Sequence, residues 1–126
     1  MYTAIVFGSL SHDILKMVSK KNEIPEKWKL HCHHCTINMG PHKNSSMSHV
    51  PIGTQIIMSA THIGGIYNHV AAVKVKGDFK SSNSNPHITL AVNEEGGAKP
   101  KESNNIINWK PLPKAICIVG ILEEIE

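Results

Sequence analysis

The chain has no arginine: all thirteen of its basic residues are lysine. Without a guanidinium fork, phosphate cannot be gripped bidentately, and must be met by lysine, histidine, hydroxyls and backbone N–H groups. Cysteine is scarce and odd in number; three residues, Cys32, Cys35 and Cys117, make no disulfide framework and suit a reducing compartment. Strong charge is missing too. A formal net charge of +3 excludes a protein that coats nucleic acid by charge alone. The longest apolar run, over 115–122, is too short to cross a bilayer, so no membrane is expected as a partner. The chain passes from Met1 directly into the strand-like 2–7, with no leader-like charged segment, which points to a cytoplasmic address.

What is present is enough for one domain over 1–126, with an ordinary hydrophobic content of 40%. Abundant Ile, Lys and Asn suggest low-GC coding, a bias common in viruses and some bacteria. The pattern predicts a buried strand over 2–7, then a helix over 11–21 capped by Ser11 with Ile14, Leu15 and Val18 on one face. A strand over 29–39 follows, stopped by Gly40-Pro41, then a polar loop over 41–51. Strands over 54–63 and 70–75 flank a Gly64-Gly65 turn. After a second polar loop, a strand over 87–92, a short helix from Pro100 and a strand over 115–122 complete the chain, before an acidic tail. This order, β-α-β-β-β-β-α-β, is α+β with mostly antiparallel pairing.

Two segments match each other: His34-Cys35-Thr36-Ile37 and His87-Ile88-Thr89-Leu90. Each is His-x-Thr followed by an apolar residue, inside an expected strand. Nine histidines and a handful of threonines predict fewer than one such pair by chance. Alternation puts His34 with Thr36, and His87 with Thr89, on faces opposite Cys35-Ile37 and Ile88-Leu90. Two such strands side by side line a groove with two imidazoles and two hydroxyls. One imidazole can take a proton from an attacking oxygen while the other protonates the leaving oxygen. The threonine hydroxyls can donate to non-bridging oxygens as charge builds on phosphorus. The chemistry needs no metal and no cofactor, and the spacing leaves open which histidine is the base.

The doubled motif resembles the signature of the 2H phosphoesterase superfamily, the LigT-like proteins. Pro86-His87-Ile88-Thr89-Leu90-Ala91-Val92-Asn93, with Gly96-Gly97-Ala98-Lys99-Pro100 after it, is similar to the cyclic phosphodiesterase segments of RNA-repair proteins and their viral relatives. The resemblance implies a compact bilobal α+β fold, antiparallel sheets with about two helices and a central groove. It implies catalysis by His34 and His87, with Thr36 and Thr89 holding the phosphate. The expected substrate is a nucleotide or oligonucleotide whose phosphodiester involves a ribose 2′-oxygen. Small size and low-GC bias favour a viral enzyme, in the host cytoplasm, degrading a 2′-5′-linked immune signal such as cyclic GMP-AMP or 2′-5′ oligoadenylate. An RNA-end 2′,3′-cyclic phosphodiesterase is the alternative, and a non-catalytic nucleotide- or RNA-binding module the rival from another class. No obligate protein partner is evident.

Weaker signals surround this pair. Alternation along 29–39 would send His31, His33 and Cys35 to one face as a metal chelate, but nothing elsewhere completes the set, and no metal is assigned. Cys32-His33-His34-Cys35 has redox spacing, yet the residues after it continue as strand instead of opening a helix. Lys99, Lys101 and Ser103 follow a Gly-Gly turn and are candidate substrate contacts, a solvated loop being the competing reading. Tyr2 is a further candidate contact; Tyr2 and Trp109 can stack on a base or pack at a strand edge.

Overall fold

Six of the seven strands close on themselves. The computed structural model describes residues 1–126, with β1 (Tyr2–Phe7), α1 (Ser9–Lys21), β2 (Lys29–Leu30), β3 (His34–Asn38), β4 (Gln55–Ile66), β5 (Val70–Gly77), β6 (His87–Val92) and β7 (Lys110–Ile125). Around the ring the order is β6-β3-β1-β7-β4-β5 and back to β6, every pairing antiparallel. The expected antiparallel α+β class holds in outline, but as one barrel in place of two lobes. Each of the six strands turns apolar residues to the interior, and β6 pairs with both β3 and β5. Closure satisfies both otherwise open edges and gives six apolar faces a common interior.

That interior holds Ile5, Ile37, Met58, Val73, Ile88, Leu90, Ile118 and Leu122, each essentially inaccessible. α1 adds Leu15 and Val18 to the same core. Ser11 does not cap this helix, which begins at Ser9 after an extended Gly8. Instead the Ser11 hydroxyl donates to the Val119 carbonyl at 3.0 Å and accepts the Val119 N–H at 3.1 Å, tying α1 to β7. No helix is long and apolar enough to cross a membrane.

Three further expectations are corrected. Gly64 and Gly65 do not turn the chain; they lie inside β4, and the hairpin turn comes at residues 67–69. A Cβ on Gly64 would lie 2.7 Å from Ile106 and 2.8 Å from Trp109, so this glycine lets the segment before β7 lie flat against β4. The acidic residues Glu123 and Glu124 are no tail, since β7 runs on through them to pair with Ala4 and Thr3. The helix expected from Pro100 is a six-residue 3-10 helix, Pro100–Asn105. It lies near a small cluster of Val70, Ala72, Val92, Ala98 and Ile106, on the side of β5 opposite the barrel-facing Val73 and Val75.

One more correction bears on function. Residues 29–39 are not one strand: β2 and β3 both pair with β6, separated by a break over 31–33 where Cys32 has φ of 50°. The break is held by His31 and Cys32 N–H groups donating to the Leu90 and Thr89 carbonyls. A left-handed residue inside a strand resets alternation, so the side chains on either side no longer divide evenly between faces.

Candidate functional site

The register Cys35 opposite Ile88 sets His34 across from Thr89, and Thr36 across from His87, on adjacent antiparallel strands. Cys35, Ile88 and Leu90 point into the barrel, so the four polar side chains face outward together. They line one groove of about 260 Å3. His31, His33, Asn83, Lys101 and Asn104 complete its polar wall, and no carboxylate lines it.

The two histidines are held differently. His34 Nδ1 lies 3.0 Å from His33 Nδ1, one ring donating to the other, with ring centroids 5.2 Å apart in an edge-on arrangement. The Tyr2 ring stands 5.4 Å from His34 on another side. Burial, reinforced by the charges of His33, His31 and His87, pushes the His34 pKa down to about 4. His34 is therefore neutral at pH 7. His87 Nδ1–H donates to the Asn85 carbonyl at 2.8 Å. A carbonyl only accepts, which fixes the proton on Nδ1 and leaves Nε2 as the free nitrogen. The Trp109 ring lies 6.4 Å away.

The threonines are also backed from different sources. Thr89 Oγ1 shares a 2.9 Å hydrogen bond with the hydroxyl of Ser103, which is 2% exposed. The backbone of Thr36 is braced by the loop before β6: Ser81 Oγ–H donates to the Thr36 carbonyl and Ser82 N–H to the Ile37 carbonyl, both at 2.8 Å. That bracing brings Asn83 to the groove.

The peripheral candidates divide. Lys101 lines the groove, whereas Lys99 and Ser103 do not. Ser103 is buried against Thr89 and serves as its support. Lys99 points its backbone N–H at Glu102 Oε2, 2.7 Å away. That contact, followed by His69 Nδ1–H donating to Glu102 Oε1, holds the Glu102 carboxyl below its ordinary range and pins the 3-10 helix. Tyr2 stands beside His34 without forming part of the groove wall.

The strand-face chelate His31, His33 and Cys35 is not assembled. Cys35 is wholly buried in the barrel and its thiol is pushed up to about 12 by burial. No group of three or more His, Cys, Asp or Glu side chains is placed to hold a metal ion. Cys32 is likewise inaccessible, with burial raising its thiol to about 11, so neither cysteine of the Cys-x-x-Cys spacing offers a thiolate. The sequence reading missed that His31, His33 and His34 share the groove. The signal was present as the density of imidazoles over 31–34, but strict alternation separates 33 from 34. Asn83 and Asn104 come from irregular segments, where no period marks them. Compared with known protein families, curated proteins and solved structures, the chain matches none.

Proposed function

We propose that this chain is a phosphodiesterase of the 2H type, acting on nucleotide phosphodiesters that involve a ribose 2′-oxygen. The observation that carries the reading is the meeting of His34, Thr36, His87 and Thr89 in one groove. Two imidazoles and two hydroxyls lining one groove are what an in-line displacement at phosphorus uses. His34, neutral because burial and neighbouring imidazoles disfavour its charge, takes the proton of the attacking oxygen. His87, with Nδ1–H anchored on the Asn85 carbonyl, carries a second proton on Nε2 and delivers it to the leaving oxygen. Thr36 and Thr89 donate to the non-bridging oxygens. The groove volume suits a ribose phosphate, leaving the bases at the rim. Lys101 and the absence of lining carboxylates suit the charge of that substrate.

Within that class, the reading favours a viral enzyme that degrades 2′-5′-linked signals such as cyclic GMP-AMP or 2′-5′ oligoadenylate. The test is incubation with 2′-5′-linked, 3′-5′-linked and 2′,3′-cyclic substrates in EDTA, read by mass spectrometry. Cleavage of 2′-5′ linkages with 3′-5′ linkages spared supports the reading. Cleavage confined to 2′,3′-cyclic ends moves it to RNA-end processing. Binding without turnover of any of them replaces it with a nucleotide-binding module.

A further inference from the structure

Adjacent residues in a strand face opposite ways, yet His33 and His34 meet in one groove. The cause is local: Cys32 takes a left-handed backbone, and His33 lies outside the ladder that begins at His34. The His33 carbonyl still accepts the Phe7 N–H at 3.0 Å, so its backbone is anchored to β1 while its ring turns to His34. The side-chain result is the 3.0 Å Nδ1 to Nδ1 contact.

We propose that His33 is a positioning residue that sets the tautomer of His34. The inference rests on reading His34 as the general base. With Nδ1 engaged by His33, Nε2 is the nitrogen left to the groove. For Nε2 to accept a proton, His34 must carry its own proton on Nδ1 and donate it to His33 Nδ1. Neutral His33, protonated on Nε2, supplies that lone pair. Protonated His33 has an N–H at both nitrogens and cannot accept. It then forces His34 into the opposite tautomer, with Nε2–H towards the substrate and no base.

The same contact therefore acts as a proton-sensitive gate on the base. The charged and titratable groups facing His34 are few. His31 and His33 come from its own segment, Tyr2 from β1, His87 from β6 and Lys101 from the 3-10 helix. Glu94 is engaged by His31, whose Nε2–H donates to it at 3.0 Å. None but His33 is hydrogen-bonded to the His34 ring. Protonation of His33 therefore withdraws the base without any proton being added to His34.

Two substitutions separate this role from bulk or charge. In His33→Asn the amide oxygen occupies nearly the place of imidazole Nδ1, accepts from His34 and does not titrate. In His33→Phe the ring remains and the acceptor is lost. His33 is exposed, so both variants should fold, which thermal melts verify. Nitrogen-15 NMR of the histidine rings reads the His34 tautomer without any substrate. The expected result near neutral pH is Nδ1–H in the wild type and in His33→Asn, and a shift towards Nε2–H in His33→Phe. With the cleaved substrate, kcat/KM should fall about three- to tenfold in His33→Phe, the worth of one neutral hydrogen bond. It should stay near wild type in His33→Asn, with the acid limb displaced to lower pH. A His34 tautomer that is Nε2–H in the wild type, or unmoved by His33→Phe, overturns the proposal. Failure of the phosphodiesterase reading looks different: the wild type turns over no substrate while the tautomer still responds to residue 33.

Discussion

The two His-x-Thr segments are alike in sequence and unlike in their supports. The second lies in an unbroken strand, its histidine anchored on a carbonyl, its threonine on a buried serine. The first follows a left-handed kink, its histidine hydrogen-bonded to another titrating ring and its pKa driven down. A carbonyl partner fixes which imidazole nitrogen donates and leaves the other to the groove. Burial and a crowd of imidazoles disfavour the charged form of His34. On the proposed mechanism, the difference matches His34 to the base and His87 to the acid.

Removing either histidine tests the comparison most severely. His34→Ala and His87→Ala should each lower turnover by ~10²–10⁴-fold in a chain that still folds, because the proposed displacement uses both. Steady-state kinetics alongside circular dichroism checks this, and near-wild-type activity in a folded variant removes that residue from the chemistry.

The threonines should part company in a more instructive way. On the proposed mechanism, Thr36→Val and Thr89→Val each delete a donor to the developing phosphorane, and each should cost on the order of 10²-fold in kcat. Thr89→Val also leaves the buried Ser103 hydroxyl unpaired, which adds a stability loss of about 1–3 kcal/mol. Thr36→Val should leave stability nearly unchanged. Urea denaturation of the two variants separates them; equal losses would mean that Ser103 does not distinguish the segments.

The smallest effect is on stability against pH. Folded His34 titrates at about 4, below the ordinary imidazole value of roughly 6.5 that it recovers on unfolding. Between those values the unfolded chain binds a proton that the folded chain does not. Stability contributed by neutral His34 is thus complete above the unfolded value and falls as pH drops through that window. Denaturation at pH 7 and pH 5 should show a larger acid loss for the wild type than for His34→Gln. An equal loss in both would locate the acid sensitivity elsewhere.

Much of this was legible in the residues. Apolar, strand-like runs bounded by turn residues marked six strands, and the repeated His-x-Thr marked the groove. Barrel closure was not legible, because alternation says which face is buried and not which strands share an edge. Pro111 and Pro113 concealed the start of β7, yet they sit within its first four residues, where a missing N–H is tolerated. Gly64-Gly65 reads as a turn locally, but the close approach of Ile106 and Trp109 that requires glycine there is a tertiary fact. The position of His33 hung on the backbone of one residue, Cys32, whose side chain gives no hint of a positive φ.

The most direct test of the central claim is the pH dependence of kcat/KM for the wild type, measured on whichever substrate is cleaved and where chemistry limits the rate. A neutral base and a protonated acid in one groove predict a bell. On the proposed roles, gaining a proton at the His33–His34 pair removes the base and losing one from His87 removes the acid. In variants with residual activity, His34→Gln should lose the acid limb and His87→Gln the alkaline one. A flat profile from about pH 5 to 9, or the limbs exchanged between the two variants, would contradict the assignment of base and acid.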